Sequence, residues 1–271
     1  MADGFTLEKF SQNPFYQEVN QLLVALARLR PGQCVVDLGA GTGAVTRLLV
    51  AEVACKPTAE VIAVEPSESA IEAARRNLEN ISGAVVRFAQ GSAERLSQLV
   101  RRPVDAVFFC NAIHLVKEKA AVVQEVYRSL REGGTFSFNT TFFQGAEPPE
   151  SLQFYRRWMM KALRFLRENY DLAPDRTQRA LARQPLSQEE YVALVEVNGF
   201  RVRENQVVPV PMTLKGFEDI SEYGLFIGGA MPGVPLEVGS EALKHGARAA
   251  FEELGLETSP RNWLLVVASK D

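Results

Sequence analysis

The segment with the clearest chemical meaning is a glycine run after an apolar stretch, Val35-Val36-Asp37-Leu38-Gly39-Ala40-Gly41-Thr42-Gly43. Glycines at this density let the backbone turn tightly and let a ligand approach the main chain closely. The order Gly-x-Gly-x-x-Ala, which starts at Gly39, also fits a dinucleotide-binding loop, although such a short match is weak by itself. Asp37 precedes the glycines, and its carboxylate would repel a pyrophosphate and attract a cation. The loop therefore predicts a ligand that carries positive charge and no phosphate.

Polar residues also follow three later apolar runs, at the point where each run ends. Because the carboxyl ends of parallel strands meet at one edge of a sheet, where ligands of this architecture bind, we expect these residues near the glycine loop. A carboxylate at the end of the second strand can accept both hydroxyls of a ribose. The residues are Glu65 and Pro66 after the second run, Ser92, Ala93 and Glu94 after the third, and Asn111 to His114 after the fourth.

Alternating strands and helices must position these residues. Buried strands are expected at 34–38, 60–65, 85–88, 105–110 and 135–140, with helices between them at 44–53, 67–80, 93–100 and 118–130. The pair Gly133-Gly134 is expected to end the last of these helices. The alternation predicts an α/β fold with a doubly wound, mainly parallel sheet.

Two insertions are expected to interrupt this pattern later in the chain. Amphipathic helices are expected at 151–168 and 240–254, and strands at 202–210 and 263–268 return to the sheet. A Gly- and Pro-rich apolar stretch at 223–235 is expected to form an irregular loop, acting as a mobile lid or packed on the surface. The expected organisation is an N-terminal lid or helix over 1–30, a ligand-binding core over 31–142, a helical cap insertion over 143–185, and the C-terminal part of the core over 186–271 with a second insertion at about 213–260.

Length and composition exclude several classes of protein. The chain has 271 residues, 46% of them apolar, and a formal net charge of −3, which argues against a surface built to hold nucleic acid. No apolar run is as long as the roughly 18 residues of a membrane span, and the N-terminus lacks the order of a signal peptide. Three cysteines without metal-site spacing fit a reduced, cytoplasmic protein with no bound metal, and Cys34 and Cys110 are expected to be buried.

With these motifs, the chain resembles the class I methyltransferases that use S-adenosylmethionine (SAM). The matching segments occur in family order at 35–43, 61–67, 90–94, 105–115 and 130–136. SAM carries a sulfonium and an ammonium group and no phosphate, as the charge of Asp37 requires. The resemblance covers about residues 30–140. It implies a Rossmann-like, seven-stranded sheet with the last strand antiparallel, to which the insertions add a mainly helical cap.

The resemblance also implies which residues contact SAM. Many relatives have aspartate where this chain has Ser92, so a hydroxyl acceptor is kept but a charge-assisted hydrogen bond is lost. Glu94 is interpreted either as a further adenine contact or as a solvated helix residue. The implied contacts are Asp37, Gly39, Ala40 and Gly41 around the methionine part, Glu65 with Pro66 at the ribose, Ser92 and Ala93 at the adenine, Asn111 near the methionine amine through its backbone, and Tyr16 over the cofactor from the leading segment.

His114 is the candidate catalytic residue, because it follows the fourth strand beside the expected position of the methyl group. Two interpretations stay open: a general base or substrate-orienting donor, and a histidine that packs on its loop. Enzymes that methylate exocyclic amines of nucleic acids usually have Asn/Asp-Pro-Pro-aromatic at this position. This chain has Asn111-Ala112-Ile113 instead, which disfavours methylation of nucleic-acid amines.

The acceptor pocket is expected to be formed by the insertions and by the N-terminal aromatic residues. Residues 151–185 hold eight basic residues against three acidic ones. They are interpreted as a cap that contacts an anionic group, or as the solvated face of an amphipathic helix. The candidate pocket residues are Phe15, Ile113, Tyr223, Phe226, Met231 and Arg156.

The resulting hypothesis is a SAM-dependent methyltransferase that methylates an oxygen or nitrogen, less often a carbon, of a small or medium-sized molecule, of the kind made in secondary metabolism. The product of the cofactor would be S-adenosylhomocysteine. The expected state is a monomer or homodimer without membrane or nucleic-acid partners. Alternatives are a carboxyl methyltransferase acting on an anionic or carrier-protein-bound acyl group, a SAM-binding regulator without catalysis, and, least favoured because of Asp37, an NAD-linked oxidoreductase.

Overall fold

A computed structural model describes residues 5–55, 57–175, 177 and 185–271 of the chain. Its centre is a seven-stranded sheet with the strand order β3-β2-β1-β4-β5-β7-β6. The first five strands pair in parallel where their pairing is defined, and β7 runs antiparallel to β5. The predicted fold class, with its antiparallel last strand, is confirmed.

The strands follow the apolar runs of the sequence, because strands covered on both faces by helices must be apolar on both faces. All residues of β1 and β2 are buried, whereas β3 lies at the sheet edge and is partly exposed. The strands are β1 (Cys34–Leu38), β2 (Glu60–Glu65), β3 (Val85–Gln90), β4 (Val104–Cys110), β5 (Leu130–Thr140), β6 (Phe200–Thr213) and β7 (Thr258–Lys270).

Helices connect the strands and form a second group late in the chain. Short 3₁₀ helices lie at Ala93–Arg95, Ile113–Leu115 and Pro149–Ser151. The α-helices are α1 (Glu8–Ser11), α2 (Pro14–Ala27), α3 (Ala44–Val53), α4 (Glu68–Asn77), α5 (Leu96–Leu99), α6 (Lys119–Ser129), α7 (Leu152–Tyr170), α8 (Gln188–Glu196), α9 (Leu214–Ile220), α10 (Gly224–Ala230) and α11 (Leu236–Leu254).

The chain divides into two compact units. The sheet unit consists of residues 17–144, 186–208 and 263–271. It holds the glycine loop and all the strand ends discussed above. The helical unit consists of residues 1–16, 145–185 and 209–262. Of the predicted basic residues in the first insertion, Arg176, Arg179 and Arg183 lie outside the described residues.

An aromatic cluster fills the core of the helical unit. Phe154 on α7 is almost fully buried, and its ring lies within 6 Å of four other aromatic rings. The helices α7 and α11 pack closely at Gly246, where a Cβ atom would come within 2.6 Å of the carbonyl oxygen of Trp158. Glycine is required there because any side chain would separate the two helices. The indole N–H of Trp158 donates to the carbonyl of Leu243 at 2.8 Å, which satisfies its buried polar group.

Two local predictions were wrong. Gly133 and Gly134 do not end helix α6, which stops at Ser129; they lie inside β5, next to a register shift against β4. Gly133 has a φ of +69°, so its positive φ serves the irregular strand instead of a helix C-terminus. The Gly-rich stretch at 223–235 also contains a regular element, helix α10, which begins after Tyr223. Tertiary packing overrides the low helix propensity of glycine there.

The three cysteines are free thiols in different surroundings. Cys34 and Cys110 are buried, as predicted, whereas Cys55 is exposed. Burial raises the pKa of the Cys34 thiol to about 11, and burial likewise raises the pKa of Cys110. Among the described residues, no helix is both long enough and apolar enough to cross a bilayer.

Candidate functional site

The glycine loop joins β1 to α3 and is anchored on the neighbouring strand β2. The N–H groups of Gly39 and Ala40 both donate to the carbonyl of Val64, at 2.8 and 3.1 Å. Gly41 has a φ of +53°, which favours glycine. Apart from its own chain neighbours, no atom of the described residues lies within 4 Å of the position that its Cβ would take. The loop therefore leaves open space beside Gly41, where a ligand can approach the backbone.

Glu65, the last residue of β2, accepts hydrogen bonds from this loop and from the turn that follows β2. Its Oε2 accepts the N–H of Gly41 at 2.9 Å, and its Oε1 accepts the N–H of Ser67 at 3.0 Å. Ser67 in turn caps helix α4, so one buried carboxylate fixes two turns at once. Each carboxylate oxygen can accept more than one hydrogen bond, so Glu65 keeps acceptor capacity for hydroxyl groups of a ligand.

Asp37 lies inside β1 and is almost fully buried. The hydroxyl of Thr46 donates to its Oδ2 at 2.6 Å. Burial raises the pKa of Asp37 to about 7, and the negative charge of Glu65 adds to this rise although the hydrogen bond from Thr46 opposes it. A cation bound nearby would reverse the rise, because it stabilises the ionised carboxylate. This electrostatic situation suits the positively charged ligand that the sequence predicts.

The end of β3 is more exposed than the glycine loop. The N–H of Gly91 donates to the carbonyl of Glu65 at 3.2 Å, which places this turn beside the end of β2. Ser92 and Ala93 are half-buried, and Pro66 is exposed. Within the described residues, the Ser92 hydroxyl makes no side-chain cap and keeps its acceptor capacity. Glu94 is exposed, consistent with the interpretation as a solvated helix residue.

The end of β4 is held by asparagine side chains. Asn111 has a φ of +49°, a left-handed conformation that asparagine tolerates better than most residues. Its N–H donates to both the carbonyl and the Oδ1 of Asn139 on β5, at 2.9 and 2.8 Å. Asn139 donates through Nδ2 to Oδ1 of Asn20 on α2, at 2.8 Å. The Oδ1 of Asn111 accepts the N–H of Thr141 at 3.3 Å, so the turns after β4 and β5 are joined.

His114 follows Asn111 and is also buried, with 5% of its surface exposed. Its Nδ1 lies 3.1 Å from the hydroxyl oxygen of Thr140, which also accepts the N–H of Phe142 at 3.0 Å. The imidazole and the Phe142 ring lie 4.3 Å apart between centroids. These contacts connect His114 to the end of β5 and support an orienting or packing role.

Comparison with known proteins agrees with this geometry. The family described as methyltransferase domain matches residues 35–134. The chain is 32% identical to an arsenite methyltransferase of Halobacterium salinarum over 153 residues, which is 56% of this chain and 36% of that protein. It is 30% identical to a ubiquinone/menaquinone biosynthesis C-methyltransferase of Legionella pneumophila over 133 residues, 46% of this chain and 50% of that protein. The chain thus spans half or less of these curated relatives.

Solved structures share the fold. A SAM-dependent methyltransferase of Thiobacillus denitrificans in complex with S-adenosyl-L-homocysteine has a TM-score of 0.57 at 18% identity, covering 96% of this chain and 93% of that one. The cyclopropane synthase MmaA2 of Mycobacterium tuberculosis has a TM-score of 0.56 at 15% identity, covering 93% and 84%.

Residues 35–134 belong to the methyltransferase domain family.

The strand ends fit SAM, whose product S-adenosyl-L-homocysteine is bound in the solved methyltransferase of Thiobacillus denitrificans. Glu65 keeps acceptor capacity for ribose hydroxyls, and the uncapped hydroxyl of Ser92 can accept from an adenine amine. The open space beside Gly41 lets the ligand approach the backbone. The buried carboxylate of Asp37 provides a negative field for the cationic end.

The residues predicted for the acceptor pocket have unequal exposure. In the sheet unit, Ile113 is fully buried. In the helical unit, Met231 is fully buried, whereas Tyr223 and Phe226 are partly exposed and Phe226 stacks on Trp158. Ile113 and Met231 therefore present no surface to a ligand in this structure.

The N-terminal aromatic residues belong to the helical unit. Tyr16 and Phe15 are both buried, and each packs edge-on against Phe10, at 5.6 and 5.5 Å between centroids. Arg156 on α7 is exposed, with no acidic partner among the described residues. Its neighbours on the helix are paired: Arg157 and Lys161 with Glu253, and Arg164 with Glu168.

Sequence reasoning missed Asn20 and Asn139. A signal existed, since Asn139 is an amide inside an expected buried strand, directly after Phe138, and a buried amide needs hydrogen-bond partners. The partner on α2 is far away in sequence, and no local pattern predicts that pairing.

Proposed function

We propose that this chain transfers the methyl group of SAM to an oxygen or nitrogen of a small or medium-sized organic molecule. The bond between sulfur and the methyl carbon breaks as the acceptor atom forms its bond to that carbon. The sulfonium becomes the neutral thioether of S-adenosylhomocysteine, and the acceptor loses a proton if it carries one. The observation that supports this most directly is the hydrogen bond from the N–H of Gly41 to Glu65, beside open space at the backbone of Gly41.

SAM supplies an already activated methyl group, so the protein must mainly align the two reactants. We propose that the backbone of Gly39 to Gly41 and the field of Asp37 hold the methionine part, that Glu65 binds the ribose hydroxyls, and that Ser92 accepts from the adenine amine. Asn111 would face the methionine amine through its backbone. His114 orders this region, as its contacts to Thr140 and Phe142 suggest.

The acceptor atom differs among the relatives. Of the relatives, one is named as an arsenite methyltransferase and one as a C-methyltransferase, so family membership alone allows several acceptors. We favour oxygen or nitrogen over carbon. We favour an organic acceptor over arsenite because Cys34 begins β1 and Cys110 ends the parallel strand β4, so these two buried thiols lie at opposite edges of the sheet.

Two measurements test the proposal. Titration calorimetry should give heat of binding for SAM and none for NAD at about 0.1 mM ligand. A panel of phenols, amines and carboxylic acids should then give release of S-adenosylhomocysteine with at least one acceptor. Absence of SAM binding would contradict the proposal, and binding without turnover on a broad panel would favour a SAM-binding regulator.

A second candidate function is methylation of an anionic acceptor, such as a carboxylate on a small acid or on a carrier-bound acyl chain. The guanidinium of Arg156 favours it, because this group is exposed, has no acidic partner in the part of the chain that the structure describes, and binds carboxylates well. Arg156→Ala should then raise the KM for anionic acceptors but not for neutral ones. Arg164→Ala is the matched control, because Arg164 on the same helix is already paired with Glu168. Equal KM values for both variants would exclude this candidate.

A further inference from the structure

The turn after β4 is tied to helix α2 through a chain of three asparagines, Asn111, Asn139 and Asn20. The side chains of Asn139 and Asn20 have no exposed surface. They are linked by the Nδ2 to Oδ1 hydrogen bond of 2.8 Å, and Asn139 Oδ1 continues the chain to the N–H of Asn111. A turn at the candidate SAM site is thereby connected to a helix that lies near the start of the sequence.

The direction of each hydrogen bond in this chain is fixed by the backbone. A backbone N–H can only donate, so the atom of Asn139 that faces Asn111 must be its oxygen. Its NH₂ group then faces Asn20, which must present its own oxygen. The N–H of Thr141 fixes the amide of Asn111 in the same way. The chain thus has one consistent arrangement and cannot be reversed by rotating one amide.

Packing alone does not explain an asparagine at position 139. On β5, the fully buried rings of Phe136 and Phe138 alternate with the buried polar residues Ser137 and Asn139. A buried amide stabilises a protein only when its hydrogen bonds are complete, so an apolar residue would suit the interior better. What the amide provides is a second acceptor for the N–H of Asn111, whose left-handed backbone is an uncommon conformation.

We infer that Asn139 is a positioning residue for SAM, which holds the turn at Asn111 in its ligand-binding conformation, and that Asn20 fixes Asn139 for this task. The inference rests on the proposed function, in which the backbone of Asn111 faces the methionine amine. Neither Asn20 nor Asn139 needs to touch SAM, because both act through the turn.

A double-mutant cycle tests this inference. Asn139→Ala, Asn20→Ala and the double variant are compared with the wild-type chain by titration calorimetry with SAM and, separately, by thermal unfolding without SAM. Asn139→Ala should weaken SAM binding about tenfold or more, because the N–H of Asn111 loses an acceptor. Asn20→Ala should weaken it less. The double variant should bind like Asn139→Ala alone, because the two residues act in series.

Asn198→Ala is the matched control, since it also removes one amide hydrogen bond, to the carbonyl of Leu194, in the turn between α8 and the start of β6. It should bind SAM like the wild type. Lower melting temperatures with unchanged SAM affinity, or independent and additive losses from Asn20 and Asn139, would overturn the inference. If Asn139→Ala does not fold, the test depends on Asn20→Ala, and an unchanged SAM affinity in that variant would overturn the inference. A wild-type chain that binds no SAM would instead contradict the proposed function.

Discussion

The sheet unit and the helical unit bury polar groups for different purposes. In the sheet unit, buried polar side chains gather at the strand ends, where Glu65 and Asn139 hold turns and Asp37 accepts a hydrogen bond from Thr46 on helix α3. In the helical unit, the centre is a cluster of aromatic rings, and a polar group such as the Trp158 N–H is satisfied by the nearest backbone. The first arrangement shapes a site for a polar ligand, whereas the second holds helices together. Changes in the two units should therefore affect different measurements.

The largest effect is expected from the aromatic cluster. Phe154→Ala removes the ring that contacts four others, so the free energy of unfolding should fall by about 3–5 kcal/mol. Denaturant unfolding measures this change. The folded fraction should keep its SAM affinity, measured by calorimetry at low temperature. A large loss of SAM affinity in the folded variant would contradict the expectation that the helical unit affects stability and the sheet unit affects SAM binding.

The next effect concerns the two ends of one strand, β2. In Glu65→Gln one carboxylate oxygen becomes an NH₂ group, so the N–H of Gly41 or of Ser67 loses its acceptor. SAM affinity should fall about tenfold to a hundredfold. Glu60→Gln is the control at the opposite end of the strand, where the carboxylate pairs with Arg87 and Arg102. It should change stability and leave SAM affinity within about threefold, since it lies off the ligand edge.

A pH dependence should follow from Asp37. Its pKa is raised from 3.8 to about 7 in the folded chain, so between these values the folded state binds more protons than the unfolded state. The contribution of this group to stability is therefore lost as pH rises from about 4 to about 7. Bound SAM favours the ionised carboxylate, so SAM affinity should increase as pH rises through 7.

Asp37→Asn should flatten the stability trend in the SAM-free chain. Calorimetry at pH 6 in buffers of different ionisation enthalpy should detect a proton released when SAM binds the wild type. The variant should release fewer protons and bind more weakly at pH 8. Equal proton release in both chains would assign the titration to another group.

The smallest effect is expected at His114. Because its ring is buried against Phe142 and its Nδ1 is engaged with Thr140, we expect a positioning role. His114→Gln should change turnover by less than about threefold, whereas loss of a general base would cost about 10²–10⁴. Steady-state rates with the acceptor found in the panel distinguish these values. A large loss with intact SAM affinity would restore the general-base interpretation.

The sheet unit could be predicted largely from the sequence because its requirements select few residue types. Positive φ beside a ligand selects glycine at position 41, and buried parallel strands select continuous apolar runs such as β1 and β2. Glu65 and Asn111 were found because each directly follows or ends such a run. The amide chain beyond Asn111 was missed because it joins elements that are distant in sequence.

The helical unit was less predictable because packing accepts many residues. The stretch around helix α10 has several glycines, yet the helix forms there with Ile227 fully buried. Met231 is apolar and was predicted to line the acceptor pocket, but its side chain is fully buried in the structure. Apolar character alone does not distinguish a residue that lines a pocket from one that fills a core. The sequence therefore could not assign Met231 to the interior.

The different surroundings of the three cysteines have a practical consequence for such measurements. The thiolate is the reactive form of cysteine, and burial keeps Cys34 and Cys110 as thiols and out of reach of reagents. Cys55 is exposed, and its N–H bonds to the carbonyl of Gly83, in the loops that precede β2 and β3. A maleimide fluorophore should therefore attach at Cys55 alone in the unmodified chain. Such a label would sit at the edge of the sheet opposite the glycine loop, where it can follow unfolding without obstructing the cofactor.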